Sequence, residues 1–247
     1  MTDGIRDGCE PFSFEGGPVG LLLLHGFTGN PASLRRIGEW LAARGHAVTC
    51  PLYPGHGRDW RDLGRHRWQE WLAEAERALL ELAGTVESVV VLALSFGAAV
   101  GLRLAARHPE TVRGIAVVNP YLRDHRYWRA VPPVDGIGND IRKPDEDELP
   151  TERIPVRALL ELGGALRAVK GDIPAARQPL LVFESAEDHV VPKGTVRWLL
   201  DRIGSERKEV VALPNSYHVA TLDHDAELIF ERTHEFAEAV GAAHGAR

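Results

Sequence analysis

The sequence predicts an α/β fold, a mostly parallel sheet with helices on both faces, and three observations carry that prediction. Apolar runs alternate with amphipathic stretches almost from end to end of the 247-residue chain. The runs are short, and the most apolar of them, Val19 to Leu24, reads as a buried strand. The stretches between them have helical spacing and are long enough for right-handed crossovers between parallel strands.

Val19 to Leu24 is the first such run, bounded by Gly17-Pro18 and His25-Gly26, and reads as a buried strand. Ala32 to Arg44 places Leu34, Ile37 and Leu41 at steps of three and four, with Gly45 as a C-cap. The alternation continues with a strand at His46 to Leu52, a helix at Trp68 to Leu82 and a strand at Ser88 to Leu94. A helix at Phe96 to Arg107 and a strand at Val112 to Asn119 complete the first block. It resumes with a strand at Pro179 to Glu184, a helix at Lys193 to Arg202, a strand at Lys208 to Leu213 and a closing helix at Ala226 to Val240. Between the blocks, residues 121–177 break the pattern, with five prolines before Val156, an acidic run from Asp145 to Glu148 and one helix, Val156 to Val169. This segment is too short and too poor in apolar residues for its own core. Residues 1–247 are therefore expected to form a single domain, with 121–177 as a cap insertion over the sheet.

Composition removes several function classes. Hydrophobic residues make up 44% and charged residues 26%, as in ordinary globular proteins. A net charge of −6 argues against a nucleic-acid surface, which needs clustered cations. The basic residues between Arg58 and Arg67 alternate with acids, as on a solvated helix face. Two cysteines, Cys9 and Cys50, in unrelated settings give neither a disulfide framework nor a Cys/His zinc spacing. No metal or organic cofactor is implied. Met1 to Gly8 lacks the pattern of a secretory signal, and no apolar run could span a bilayer, so a soluble, cytoplasmic protein is expected.

The strongest chemical signal is Ala93-Leu94-Ser95-Phe96-Gly97, between a buried strand and a helix. Small residues two before and two after the serine permit the sharp turn that lifts a nucleophilic hydroxyl out of a sheet. Serine is also a common helix N-cap, so the pentapeptide gains weight from the other loops. His25-Gly26-Phe27-Thr28-Gly29 follows the first strand and could aim the Phe27 N–H, with that of Phe96, at a developing oxyanion. His25 itself reads as a packed loop residue. Among eleven histidines, His218 follows the last strand in Pro214-Asn215-Ser216-Tyr217-His218 and is the candidate general base, with His224 as its rival. Asp188 follows the preceding strand in Glu184-Ser185-Ala186-Glu187-Asp188 and could orient the base, with Glu184 and Glu187 as competitors. Loops after parallel strands emerge on one edge of a sheet, so these four loops can meet.

HGFTG, LYPGHG, ALSFG, SAEDHVVP and NSYHVATLDHD together resemble the bacterial monoacylglycerol lipase and small carboxylesterase group of the α/β-hydrolases. The resemblance runs from His25 to the final helix, with Ala93 standing where the family more often has Gly. It implies a triad of Ser95, Asp188 and His218, and an oxyanion hole from the Phe27 and Phe96 amides. Gly138 to Pro144 and Glu152 to Pro155 are similar to the family's cap segments. Carried over, Ile141 and Glu152 would border the glycerol end of a ligand; on its own residues, Glu152 reads as a surface charge beside Arg153.

The function expected from this is hydrolysis of a monoacylglycerol to fatty acid and glycerol through an acyl-enzyme. The partner is a small lipid ester, met with transient contact of the cap with lipid and without insertion, by a monomer or weak dimer. The alternatives are a broad short-chain carboxylesterase and a non-catalytic ligand-binding homologue.

Overall fold

A computed structural model describes residues 4–123, 134–135 and 139–245. The strands of the main sheet are β1 (Phe12–Phe14), β2 (Val19–Leu24), β3 (Ala47–Cys50), β4 (Ser88–Leu94), β5 (Val112–Val118), β8 (Leu180–Ser185) and β9 (Lys208–Leu213). They lie in the order β1-β3-β2-β4-β5-β8-β9. Every pairing is parallel except β1 with β3. A separate antiparallel pair joins β6 (Val134–Asp135) to β7 (Arg153–Ile154). The helices are α1 (Ala32–Ala42), α2 (Trp60–Leu63), α3 (Trp68–Ala83), α4 (Phe96–Arg107), α5 (Val156–Asp172), α6 (Thr195–Leu200) and α7 (Ala226–Gly245). Among the described residues no helix is long and apolar enough to cross a membrane.

Side chains of a strand alternate between faces, and here both faces are apolar. Leu22, Leu24, Val89, Val91 and Ala93 pack under α3, α4, α5 and α6. Leu21, Leu23, Val90, Leu92 and Leu94 pack under α1 and α7. Covering both faces is what makes these strands read as continuous apolar runs. Gly45 closes α1 at φ +89°, where its N–H donates to Ala42 O and that of His46 to Leu41 O.

The structure adds features that periodicity missed. β1 is an antiparallel edge strand only three residues long, too short to show a period. The charged stretch around Arg58–Arg67 holds a single helical turn, α2, started by the Asp59 carboxylate accepting from Arg61 N at 2.9 Å. The expected insertion is not all cap. From Val156 onward it joins the helical layer, with Ala158, Leu162, Ala165 and Leu166 in the core beside α3 and α4. Arg103 of α4 pairs with Asp172 at the end of α5. The rest of the proposed cap falls partly on residues 124–133 and 136–138, Gly138 included, which lie outside the described residues.

The turn from β4 into α4 presses on the end of β2. A Cβ at Gly97 would collide with Leu24 O and stand 2.8 Å from His25 O. Both obstacles are backbone, so neither can rotate away. Gly97→Ala is expected to destabilise the protein by about 3 kcal/mol, lowering Tm by roughly 6–12 °C. Thermal unfolding of the variant checks this, and an unchanged Tm would show that the two turns are not in contact.

Candidate active site

Ser95 links the last residue of β4 to the first residue of α4. Its backbone lies at φ +55°, ψ −118°, a region that L-residues seldom occupy and that surrounding structure must enforce. Three backbone bonds do so: Ser95 N donates to Val118 O, and Ser95 O accepts from Ala98 N and Tyr121 N. The hydroxyl is thereby raised above the sheet edge, in a nearly buried position at 8% exposure.

His218 Nε2 lies 2.9 Å from Ser95 Oγ, and its Nδ1 lies 2.9 Å from Asp188 Oδ2. The other carboxylate oxygen, Oδ1, accepts from Val190 N and Val191 N, each at 2.8 Å. Burial pushes the Asp188 carboxyl up, but the His218 hydrogen bond and charge and the two backbone donors outweigh it and hold the carboxyl below its ordinary value. An ionised Asp188 fixes the Nδ1–H tautomer and leaves Nε2 free to accept the serine proton. The rivals lie elsewhere. His224 is exposed, Glu184 is exposed at the end of β8, and Glu187 pairs with His189.

The Phe27 loop is held from below. Neutral His25 donates from Nδ1 to Gly26 O at 2.9 Å and accepts at Nε2 from Tyr53 N at 3.3 Å. Gly26 O and Phe27 N–H belong to one planar trans peptide, so anchoring the carbonyl on His25 turns the Phe27 N–H the opposite way. Among the described residues that N–H has no backbone acceptor. Phe96 N–H opens α4, where a helix leaves its first donors without internal partners. Gly26 lies directly against the serine, since a Cβ there would be 3.3 Å from Ser95 Cβ. Phe27 and Phe96 rings meet at 6.2 Å, and Phe27 also packs against the buried rings of His56 and Trp71.

Sequence reasoning missed the residues that tie these loops together. Asp140 Oδ2 accepts from the backbone N–H of both His218 and His189, each at 3.2 Å, and its Oδ1 meets His189 Nδ1 at 2.7 Å. Asp223 accepts from Arg142 N, Lys143 N, Tyr217 N and His224 N. Asn119 spans β5, β8 and the His218 loop, accepting from Ser185 N and donating to His218 O. Asp140 and Asp223 stood within motifs already noted, but nothing local announces that a carboxylate will collect amides from distant loops.

Of the two cap residues carried over by resemblance, Ile141 is half-buried and packs against the core on the α1 and α7 side, and Glu152 is exposed. The carboxylate beside the site is instead Glu148. Asn30 Nδ2 donates to Glu148 O and Leu149 O, and Thr151 N to Thr28 O, which fastens this segment to the Phe27 loop. Glu148 Oε2 lies 3.5 Å from the position of a Cβ on Gly29. Burial pushes its carboxyl up to about 7, against the pull of His218 and with Asp147 and Asp140 adding to the rise.

Burial lowers His25 to about 4, partly offset by its bond to Gly26 O, and lowers His56 well below its ordinary value, with neighbouring His25 adding to the effect. A folded-state pKa depressed below the unfolded value means that the unfolded chain binds more protons between the two. The stability contributed by neutral His25 is therefore complete above about 6.5 and is lost towards about 4, at about 1.4 kcal/mol per pH unit. Urea unfolding across that window should show a steeper loss in the parent than in His25→Asn. Glu148 adds an opposite slope to both proteins and drops out of the difference; equal slopes would contradict a buried neutral His25.

The alpha/beta hydrolase fold family matches residues 20–135, and the serine aminopeptidase S33 family matches residues 138–225. The chain is 39% identical to a thermostable monoacylglycerol lipase of Bacillus sp. (strain H-257), over 94% of this chain and 95% of that one. It is 26% identical to a carboxylesterase of Bacillus subtilis, over 93% and 96% of the two chains. Among solved structures, one reported with the metagenome-derived lipolytic enzymes LipS and LipT superposes with a TM-score of 0.91 at 34% identity, covering 95% of this chain and 99% of that one. A Paleococcus ferrophilus monoacylglycerol lipase, at 18% identity, TM-score 0.76 and coverage of 93% and 98%, shares the fold. The chain belongs to the α/β-hydrolase family, within its group of bacterial lipases and esterases, and is a serine hydrolase.

Proposed function

We propose that the protein hydrolyses monoacylglycerols, with Ser95 as nucleophile, His218 as general base and acid, Asp188 as the orienting carboxylate and the Phe27 and Phe96 amides as the oxyanion hole. The observation that carries this reading is the continuous 2.9 Å relay from Ser95 Oγ through His218 to Asp188. Ser95 Oγ attacks the ester carbonyl while its proton passes to His218 Nε2. The carbonyl oxygen gathers negative charge and is stabilised by the two amides. Collapse breaks the bond to the glycerol oxygen, which takes the proton from His218 and leaves. Water then attacks the acyl-enzyme, giving its proton to His218, and Ser95 recovers a proton as the fatty acid departs.

The choice of a glycerol ester rests on the 39% identity to a monoacylglycerol lipase and on Glu148. A carboxyl group facing the site can accept from adjacent alcohol hydroxyls, which a simple alkyl leaving group lacks. We assign that role to Glu148 rather than Glu152, because Glu152 is exposed while Glu148 Oε2 faces the Gly26–Gly29 turn. The partly exposed Phe27 ring, backed by the buried Phe96 and Trp71, suits an acyl chain.

The test compares kcat/KM for monoacylglycerols and for p-nitrophenyl esters of the same acyl chain in the parent and in Glu148→Gln. The parent should favour the glycerol ester, and Glu148→Gln should lose about tenfold on that substrate alone, the cost of one hydrogen bond of ~1.4 kcal/mol. A fluorophosphonate should label Ser95 in the folded protein. Labelling without a glycerol preference would leave a general esterase, and absence of labelling would leave a ligand-binding protein.

A further inference from the structure

We propose that His46, His234 and Glu238 form a binding site for one divalent transition-metal ion of the zinc type, on the edge of the sheet opposite to Ser95. These side chains bring one donor atom each within 4.8 Å of one another. His46 immediately precedes β3, and His234 and Glu238 are four residues apart in α7, so both project from the same face of that helix. His46 is buried at 3% exposure, His234 is half-buried and Glu238 is exposed.

The first donor is already oriented. His46 Nδ1 faces the Val19 carbonyl at 3.4 Å, and a hydrogen bond there leaves the Nε2 lone pair pointing outward. Metal-binding histidines are commonly fixed in this way, through the ring nitrogen that does not touch the ion. His46 Nε2 lies 2.8 Å from His234 Nδ1 and 3.7 Å from Glu238 Oε1. A tetrahedral ion with bonds of about 2.0–2.1 Å requires donors about 3.3 Å apart, between the two observed spacings. Without metal, His234 Nδ1–H donates to His46 Nε2. With metal, His234 carries its proton on Nε2 and presents the Nδ1 lone pair, Glu238 swings in from solvent, and water completes the shell.

The donor set selects the ion. Two imidazoles and one carboxylate favour Zn²⁺, Ni²⁺ or Cu²⁺ over Mg²⁺ and Ca²⁺, which prefer oxygen. The surroundings are rigid. A Cβ at Gly241 would stand 2.5 Å from Val19 Cγ2, so α7 packs directly on the start of β2, and Trp40 meets the His234 ring at 6.1 Å. A bound ion would therefore clamp α7 to the β2–β3 end of the sheet and stabilise the folded chain by mass action.

The experiment titrates chelator-stripped protein with ZnCl₂ by calorimetry and records Tm with and without Zn²⁺, with MgCl₂ as control. One Zn²⁺ per chain, a raised Tm and no response to Mg²⁺ are expected. His234→Gln should lose both the binding and the Tm increment, and Glu238→Gln, an exposed position that cannot endanger folding, should weaken both. Saturable binding that survives unchanged in both variants would place the ion elsewhere and overturn the proposal, as would no binding to the parent. If His234→Gln melts below the parent without metal, Glu238→Gln decides.

Discussion

The turn after β4 and the turn after β2 approach until their backbones touch, and the catalytic edge is built on that contact. Gly97 lies against the carbonyls of Leu24 and His25, and Gly26 lies against the Ser95 side chain. This closeness brings the Phe27 and Phe96 turns together beside Ser95, as the proposed oxyanion hole requires. It also holds Ser95 at φ +55°, a strained conformation that an isolated turn would relax. Adjacent parallel strands fix the approach: β2 pairs with β4 from Val19–Ser88 to Leu24–Ala93, so both strands deliver their turns at the same height.

Charge is distributed around that contact in a consistent way. Beneath the Phe27 loop, His25 and His56 are buried and neutral, and their hydrogen bonds act through tautomer and position rather than charge. Behind His218, the Asp188 carboxylate is held below its ordinary pKa by the His218 hydrogen bond and two backbone donors, against the upward push of burial, the environment that the proposed orienting role needs. Asp140 and Asp223 carry the rest of the load by collecting backbone amides from the cap and from both triad loops. The stretch of chain at residues 139–143 is thus part of the frame that holds the His218 loop.

Much of this was legible because parallel strands end on one edge. Ser95 and Asp188 each follow a buried apolar run and His218 follows the exposed edge strand β9, and strands paired in parallel deliver all three to one edge where they can meet; β4 and α4 begin and end where their patterns do. The lipase and esterase resemblance, carried by short motifs at those same strand ends, agrees with the 39% identity found along the chain. Legibility stopped where the chain becomes irregular. Glu148 and Glu152 are both acids in a proline-bearing stretch with no period, and their directions are set by Asn30 holding two carbonyls and by Leu149 at φ +54°. No pattern of residue types encodes those tertiary contacts. His46 and His234 are likewise 188 residues apart, so a search for short ligand spacings does not join them.

The proposed chemistry depends on an oxyanion site formed before substrate arrives. A crystal structure of Ser95 carrying a phosphonyl group with a glycerol-like alcohol arm measures this directly. The phosphonyl oxygen should lie about 2.7–3.1 Å from both the Phe27 and Phe96 nitrogens, with the alcohol arm against Glu148 and the β2 and β4 turns unmoved. An oxygen turned away from either amide, or a Phe27 peptide that must flip off His25 to reach it, would contradict the preformed site.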